Sequence, residues 1–309
     1  GYNLVFSTCT VSRGLGGVAL VGGGSITSSG RIESLGTVEG GTRAGVYSFT
    51  DLHDKFGPNE FAVQLDNLAG GEILSGVRGV AFSSGGLINN DGWIEGGDIS
   101  VLLQAYTPEQ SQLTATVTNN ALGVIRATAG VGDGAAIVLT GFLGQSDINI
   151  DGLIDGANQG VQINVGNVNV FNAAGAEIRG DGQAEFSSQH GGAGIKIITG
   201  ENIVVDNDGL IVGYQKGIEA GGFYDEETDT FTANTDPVTV LNAATGEITG
   251  QNNDGVRLFG GGLVVNDGLI QGLNGSLSDG VSGFLLDDSS PVANGAATEV
   301  QNSATGSIV

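Results

Sequence analysis

Variants of the stretch Val264-Val265-Asn266-Asp267-Gly268-Leu269-Ile270-Gln271-Gly272 recur from one end of the chain to the other. This repetition limits the fold more than any other feature, because it makes the protein an array of like units. One form, type A, closes on Ile32, Ile94, Ile154, Ile211 and Ile270. In the other, type B, an Asn stands six positions before the Ile: Asn67 with Ile73, Asn119 with Ile125, Asn172 with Ile178, Asn242 with Ile248, and Asn302 with Ile308. The two forms alternate strictly along the chain.

Each unit reads apolar-x-apolar, then Asn or Asp with Gly, then another apolar residue, so a period of two is interrupted by turn residues. Gly and Asp every few residues would cost a helix up to about 1 kcal/mol each, which leaves strand, tight turn, strand. The shortest anchor spacings, Ile73 to Ile94, Ile154 to Ile178 and Ile248 to Ile270, are about 21 to 24 residues, within the range of solenoid repeats. One unit buries too few aliphatics to offset an ordering cost of roughly 1 to 2 kcal/mol for each residue. Stacking coil on coil supplies the missing burial and pairs the strands in parallel, about 4.8 Å apart.

The expected architecture is therefore all-β, a right-handed parallel β-helix of about ten coils, a rod of roughly 50 Å, with loop insertions on alternate coils. Variable coil length favours the right-handed form over one built on a hexapeptide register. A second strand signal, in Gly79-Val80-Ala81-Phe82, Gly160-Val161-Gln162-Ile163, Gly194-Ile195-Lys196-Ile197 and Asp254-Gly255-Val256-Arg257-Leu258, offers a further wall. Asn67, Asn119, Asn172, Asn242 and Asn302, joined by Asn90, Asn207 and Asn266, are expected to stack as an amide ladder. Residues 1–25 read as a first coil or the end of a cap, and 26–309 as the repeat array.

The net charge of -24 argues against nucleic acid, whose phosphates need a cationic footprint. It would keep strand edges soluble and attract Ca²⁺. The single cysteine, Cys9, excludes disulfide staples and reads as a buried thiol. No apolar run approaches the roughly 20 residues of a membrane-spanning helix. Methionine is absent and residues 301–309 form a complete anchor without a polar cap, so a processed or partial chain is expected, with more coils, a cap or another subunit following.

Departures from the repeat fall between Ile32 and Ile73 and at about 97–116, 181–193, 219–237 and 273–298. They are expected on one side of the rod, about 9.6 Å apart where they follow every second coil. They carry most of the aromatic residues, and Tyr47, Phe49, Tyr106, Phe223 and Tyr224 are the candidate binding residues. Tolerated insertion is the competing explanation. No catalytic set converges: Asp91, Asp151, Asp208 and Asp267 occupy turn positions, and His53 and His190 lack assignable partners. The clusters Asp51/His53/Asp54 and Asp225/Glu226/Glu227/Asp229 are the better acidic candidates, the second a weak Ca²⁺ site without EF-hand spacing. No other cofactor is implied. Arg179-Gly180-Asp181, the tripeptide integrins read, coincides with a repeat glycine.

Segments such as Val204 to Gly213, Val238 to Gly250 and Asp254 to Gly272 resemble the passenger regions of bacterial autotransporter and haemagglutinin-like adhesins, over nearly the whole chain. The resemblance implies a secreted right-handed β-helix at a bacterial surface, often without enzymatic activity. The expected function is thus an extracellular structural or adhesive rod that binds a surface glycan or protein through its side loops or assembles end to end into filaments. A carbohydrate-active enzyme, a polysaccharide lyase or glycosidase, is the alternative.

Overall fold

A computed structural model describes residues 2–6, 11–12, 17–21, 23–34, 44–49, 63–83, 85–106, 113–128, 134–182, 192–225, 230–233, 236–274, 278–283 and 298–309. Among these residues every regular element is a β-strand, and the strands form three parallel sheets, A, B and C, and one antiparallel hairpin. The chain has the right-handed parallel β-helix fold, with about ten coils. It divides into two compact units, Gly1–Ala157 and Asn158–Val309.

In the first unit sheet A takes Tyr2–Phe6, Gly24–Ser28, Val63–Asn67, Gly86–Asn90, Ala115–Asn119 and Ser146–Ile150. Sheet B takes Val11–Ser12, Arg31–Ser34, Glu72–Ser75, Trp93–Gly96, Val124–Ala127 and Leu153–Gly156, and sheet C takes Val18–Val21, Ala44–Phe49, Arg78–Phe82, Ile99–Ala105 and Ala135–Gly141. The second unit repeats the plan. Its sheet C holds Gln159–Asn164, Ala193–Thr199, Lys216–Ala220, Val256–Leu258 and Val281–Gly283. Its sheet A holds Val168–Asn172, Ile203–Asn207, Val238–Asn242, Gly262–Asn266 and Thr298–Asn302, and its sheet B Glu177–Gly180, Leu210–Gly213, Glu247–Gly250, Leu269–Gly272 and Ser307–Ile308.

The anchors fall in register. Ile32, Ile73, Ile94, Ile125 and Ile154 pair successively along sheet B of the first unit, and Ile178, Ile211, Ile248, Ile270 and Ile308 along that of the second. All but Ile308 are completely buried, so each unit encloses an aliphatic column with alternate residues turned outward.

The alternation of types A and B is a difference in corner length. From sheet A to sheet B, a type A coil runs Asn90-Asp91-Gly92-Trp93, whereas a type B coil inserts two more residues, Asn67-Leu68-Ala69-Gly70-Gly71-Glu72. Asn67 nevertheless pairs with Asn90, and Ile73 with Ile94. Gly92 is fixed by close approach: a Cβ there would lie 2.3 Å from the Gly71 carbonyl oxygen of the coil beneath. The type A aspartates are turn residues, Asp91 and Asp151 donating backbone N–H to the carbonyls of Asn67 and Asn119.

The departures differ from the sequence expectation in two ways. They do not all fall at one point of the strand order. After sheet C the chain leaves the repeat at 50–62 and 106–114 in the first unit and at 221–237 and 284–297 in the second, each time following a type A corner. Residues 181–192 instead separate sheet B from sheet C after a type B corner, as 128–134 do, while 35–43 and 273–280 occupy the same B-to-C position in type A coils. The departures are also shorter than expected, because Ala44–Phe49, Ile99–Ala105 and Val281–Gly283 are strands of sheet C. The run Ile99-Ser100-Val101-Leu102-Leu103 does not alternate because it is buried on both faces, as parallel strands covered on each side are.

Candidate binding face on sheet C

The outward faces of sheets A and B alternate in exposure as solvated faces do; the outward face of sheet C does not. In the first unit it carries a second apolar cluster of Ala44, Ala81, Ile99, Leu102, Ala135 and Val138, with Tyr47 packed against it. In the second unit the same face is polar and still buried. Gln162 pairs in register with Lys196, Lys196 with Glu219, Glu219 with Arg257, and Arg257 with Ser282. Three residues earlier runs a parallel row, Gln159, Ala193 and Lys216, with Asp254 at the equivalent place in the next coil.

The two rows face the same way because a glycine lies between them. Gly217 turns inward, where a Cβ would stand 2.6 Å from Ile248 Cγ2, and Lys216 and Glu219 are left on the outside. Lys216 Nζ donates to Glu219 Oε1 at 2.8 Å, and Lys196 Nζ stands 4.0 Å from Glu219 Oε2. Arg257 Nε donates to Asp254 Oδ2 at 2.5 Å, Arg257 Nη2 to Asn253 Oδ1 at 2.7 Å, and Ser282 Oγ to Asp254 Oδ2 at 2.5 Å. The Asp279 N–H donates to Asp254 Oδ1. The face thus gathers three cations against two carboxylates in a chain of net charge -24.

Burial is deep: Lys216 is 2% exposed, Lys196 and Glu219 7%, Asp254 1%. Burial by itself pushes the Glu219 carboxyl up, but Lys216, Lys196 and Arg257 outweigh it and hold that carboxyl below its ordinary range. Glu219 Oε2 and Gln159 Oε1 are buried and accept no hydrogen bond. A described covering element is the hairpin Gly222–Asp225 with Thr230–Ala233, which follows directly on Lys216–Ala220 and lies against Ala193–Thr199.

The remaining site expectations fall elsewhere. In the first unit Asn67 Nδ2 donates to Asn90 Oδ1, and Asn90 Nδ2 to Asn119 Oδ1, each at 2.7 Å. In the second the chain of amides runs Asn172, Asn207, Asn242, Asn266, Asn302, with distances of 2.7 to 2.8 Å. The same Nδ2 atoms reach corner carbonyls, as Asn90 does to Gly92 and Val124. The amides therefore lie inside the corner. In the register next to Asn119 stands Ile150, which has no amide to offer.

Tyr47 is not a loop residue; it lies in Ala44–Phe49 and packs on the apolar cluster, in a strand that is covered on both faces and so lacks the period-two alternation that would mark it. Phe49 closes the same strand. Tyr106 is 53% exposed just beyond Ile99–Ala105. Phe223, Tyr224 and Asp225 belong to the hairpin, while Glu226, Glu227, Asp229, Cys9, Asp51, His53, Asp54 and His190 lie outside the described residues. No group of three or more His, Cys, Asp or Glu capable of holding a metal ion occurs among the described residues. Arg179 sits within the strand Glu177–Gly180 and is paired with Glu177, so the Arg-Gly-Asp tripeptide is not displayed at a loop tip.

The sequence had shown these sheet C strands without showing their chemistry. The missed signal was a fixed offset: Gln162, Lys196, Glu219, Arg257 and Ser282 each stand two residues after Gly160, Gly194, Gly217, Gly255 and Gly280. Fold and face together define a parallel β-helix protein with a buried, charged lateral face. No family model, curated protein or solved structure matches the chain significantly. No helix of the described residues is long and apolar enough to cross a membrane.

Proposed function

We propose that this protein is an extracellular structural and adhesive solenoid of a bacterial surface, which presents binding groups on a stiff repeat scaffold rather than turning over a substrate. The observation that carries the reading is the state of the buried carboxylates on sheet C. Glycoside hydrolysis needs two carboxyl groups, one protonated to serve as acid. Glu219 is instead held ionised by Lys216 and Lys196, and Asp254 is occupied by Arg257, Ser282 and the Asp279 N–H. The one carboxyl among the described residues that is pushed up, Asp206, owes its shift to burial and to Asp208, and it lies on sheet A. The adhesin-like repeat texture supports the surface location, and self-association into filaments is compatible with the same scaffold.

The test pairs a binding assay with a turnover assay on the same preparation. Immobilised protein is expected to retain a surface glycan or protein ligand while releasing neither reducing ends nor unsaturated uronates from acidic and neutral polysaccharides. Turnover abolished by Glu219→Gln or Asp254→Asn would overturn the reading in favour of a carbohydrate-active enzyme.

A further inference from the structure

We propose that Tyr106 and Phe142, at the ends of two successive sheet C strands of the first unit, form a stacking platform for a neutral, extended pyranose chain. The inference rests on the adhesive reading above and gives it a ligand class and a place. Ala105 pairs in register with Gly141, so the residues that follow them, Tyr106 and Phe142, leave neighbouring coils at the same corner, their backbones about 4.8 Å apart. Tyr106 is 53% exposed and Phe142 47%. One large apolar residue at a surface is ordinary, but two aromatic side chains on adjacent coils, each half in solvent, hold back hydrophobic free energy that a flat partner would recover.

The corner is pinned where it carries Phe142. The Phe142 N–H donates to the Ala105 carbonyl at 3.0 Å and the Gly144 N–H to that of Leu113 at 2.8 Å, while Leu143 between them is buried. Gly141 makes the turn possible: it has φ +87°, and a Cβ on it would meet the Ala105 carbonyl oxygen. The backbone of Phe142 is thus fixed before any ligand arrives, which lowers the ordering cost of binding.

What lies beside the two rings selects the ligand. Leu102 and Val138 belong to the outward apolar cluster of sheet C, and two residues further along the same strands Gln104 pairs with Thr140 on that outward face, both partly buried. An amide and a hydroxyl next to aromatic rings suit a sugar, whose C–H face packs on the rings while its hydroxyls exchange hydrogen bonds with the neutral polar groups. No charged side chain belongs to this set, so it offers no pairing to a sugar acid or a phosphate, and the net charge of -24 repels both. One coil advances by close to the length that one 1,4-linked pyranose adds to an extended chain, so consecutive sugars rest on consecutive coils.

Titration calorimetry on the intact chain tests this, with cellohexaose and chitohexaose as neutral 1,4-linked probes, oligogalacturonate as an acidic one and polylysine as a cationic one. A neutral hexasaccharide is expected to bind with an affinity that about 0.5 M sodium chloride changes less than about twofold. Tyr106→Ala and Phe142→Ala should each lose about fivefold in affinity and the double variant about twentyfold, while Tyr106→Phe and Phe142→Tyr, which keep the ring, should stay within about threefold. Phe171→Ala, which removes a 38% exposed aromatic from sheet A of the second unit, should leave affinity unchanged. Thermal unfolding of the alanine variants should match that of the unchanged protein; where Phe142→Ala melts early, Phe142→Leu keeps the bulk without the ring and should show the same loss. No binding of either neutral hexasaccharide at millimolar concentration, undiminished binding by the double variant, or tighter binding of oligogalacturonate or polylysine would each overturn the platform. Glycan retained by the double variant leaves the adhesive reading standing; release of reducing ends from the bound hexasaccharide would overturn that reading instead.

Discussion

At the scale of single residues, what separates the interior of this protein from an ordinary aliphatic core is that each corner holds an amide. Asn207 accepts from Asn172 and donates to Asn242, to Gly209 and to Glu247, all through one buried side chain. Asn207→Leu would leave Asn242 Oδ1 without its donor, and is expected to lower unfolding free energy by about 3 kcal/mol. Asn302 is exposed, and the Asn266 amide that donates to it keeps the carbonyls of Gly268 and Ser307. Asn302→Leu should therefore cost under about 1 kcal/mol, and denaturant titration of the two variants reads the contrast. Glu219 makes a second test. Its folded-state carboxyl lies below the ordinary value of 4.5, so its contribution is fully present above that value and is lost as pH falls through the folded-state value. Lys196, Lys216 and Arg257 face it, with Asp254 the other carboxylate on the face. Glu219→Gln is expected to flatten this part of the acid-unfolding profile, and a profile as steep as that of the unchanged protein would contradict the assignment.

At the scale of elements, the corners decide how coils stack. Gly70 and Gly92 belong to the same corner in successive coils but are required for different reasons. Gly70 has φ +81° and nothing within 4 Å of an added Cβ, so Gly70→Ala costs only backbone strain, about 1 to 2 kcal/mol. Gly92 has ordinary φ but faces the Gly71 carbonyl at 2.3 Å, and Gly92→Ala is expected to force the coils apart and cost clearly more. Thermal unfolding of both variants, with hydrogen exchange at Trp93 and Val124, checks the order. The strands and the Ile register were legible because each residue type recurs at a fixed offset in nearly every coil, and periodicity survives without knowledge of neighbours. The corner lengths were legible too, as the A and B alternation. The charged face was not: Lys196 between Ile195 and Ile197 looks like an ordinary solvated lysine, and its burial leaves no mark in the periodicity of its own strand. Tyr47 and the run Ile99 to Ala105 were misread for the same reason, since a strand covered on both faces loses the alternation by which it would be recognised.

At the scale of the whole molecule, the balance is between short-range order and long-range repulsion. Repeat scaffolds draw their stability from contacts between successive coils, and here 34 acidic side chains against 10 basic ones oppose compaction along the entire chain. Raising ionic strength to physiological values shortens the screening length to about 8 Å, which leaves contacts inside a coil untouched and weakens repulsion between distant acids. The melting temperature is therefore expected to rise with sodium chloride over the range in which screening develops.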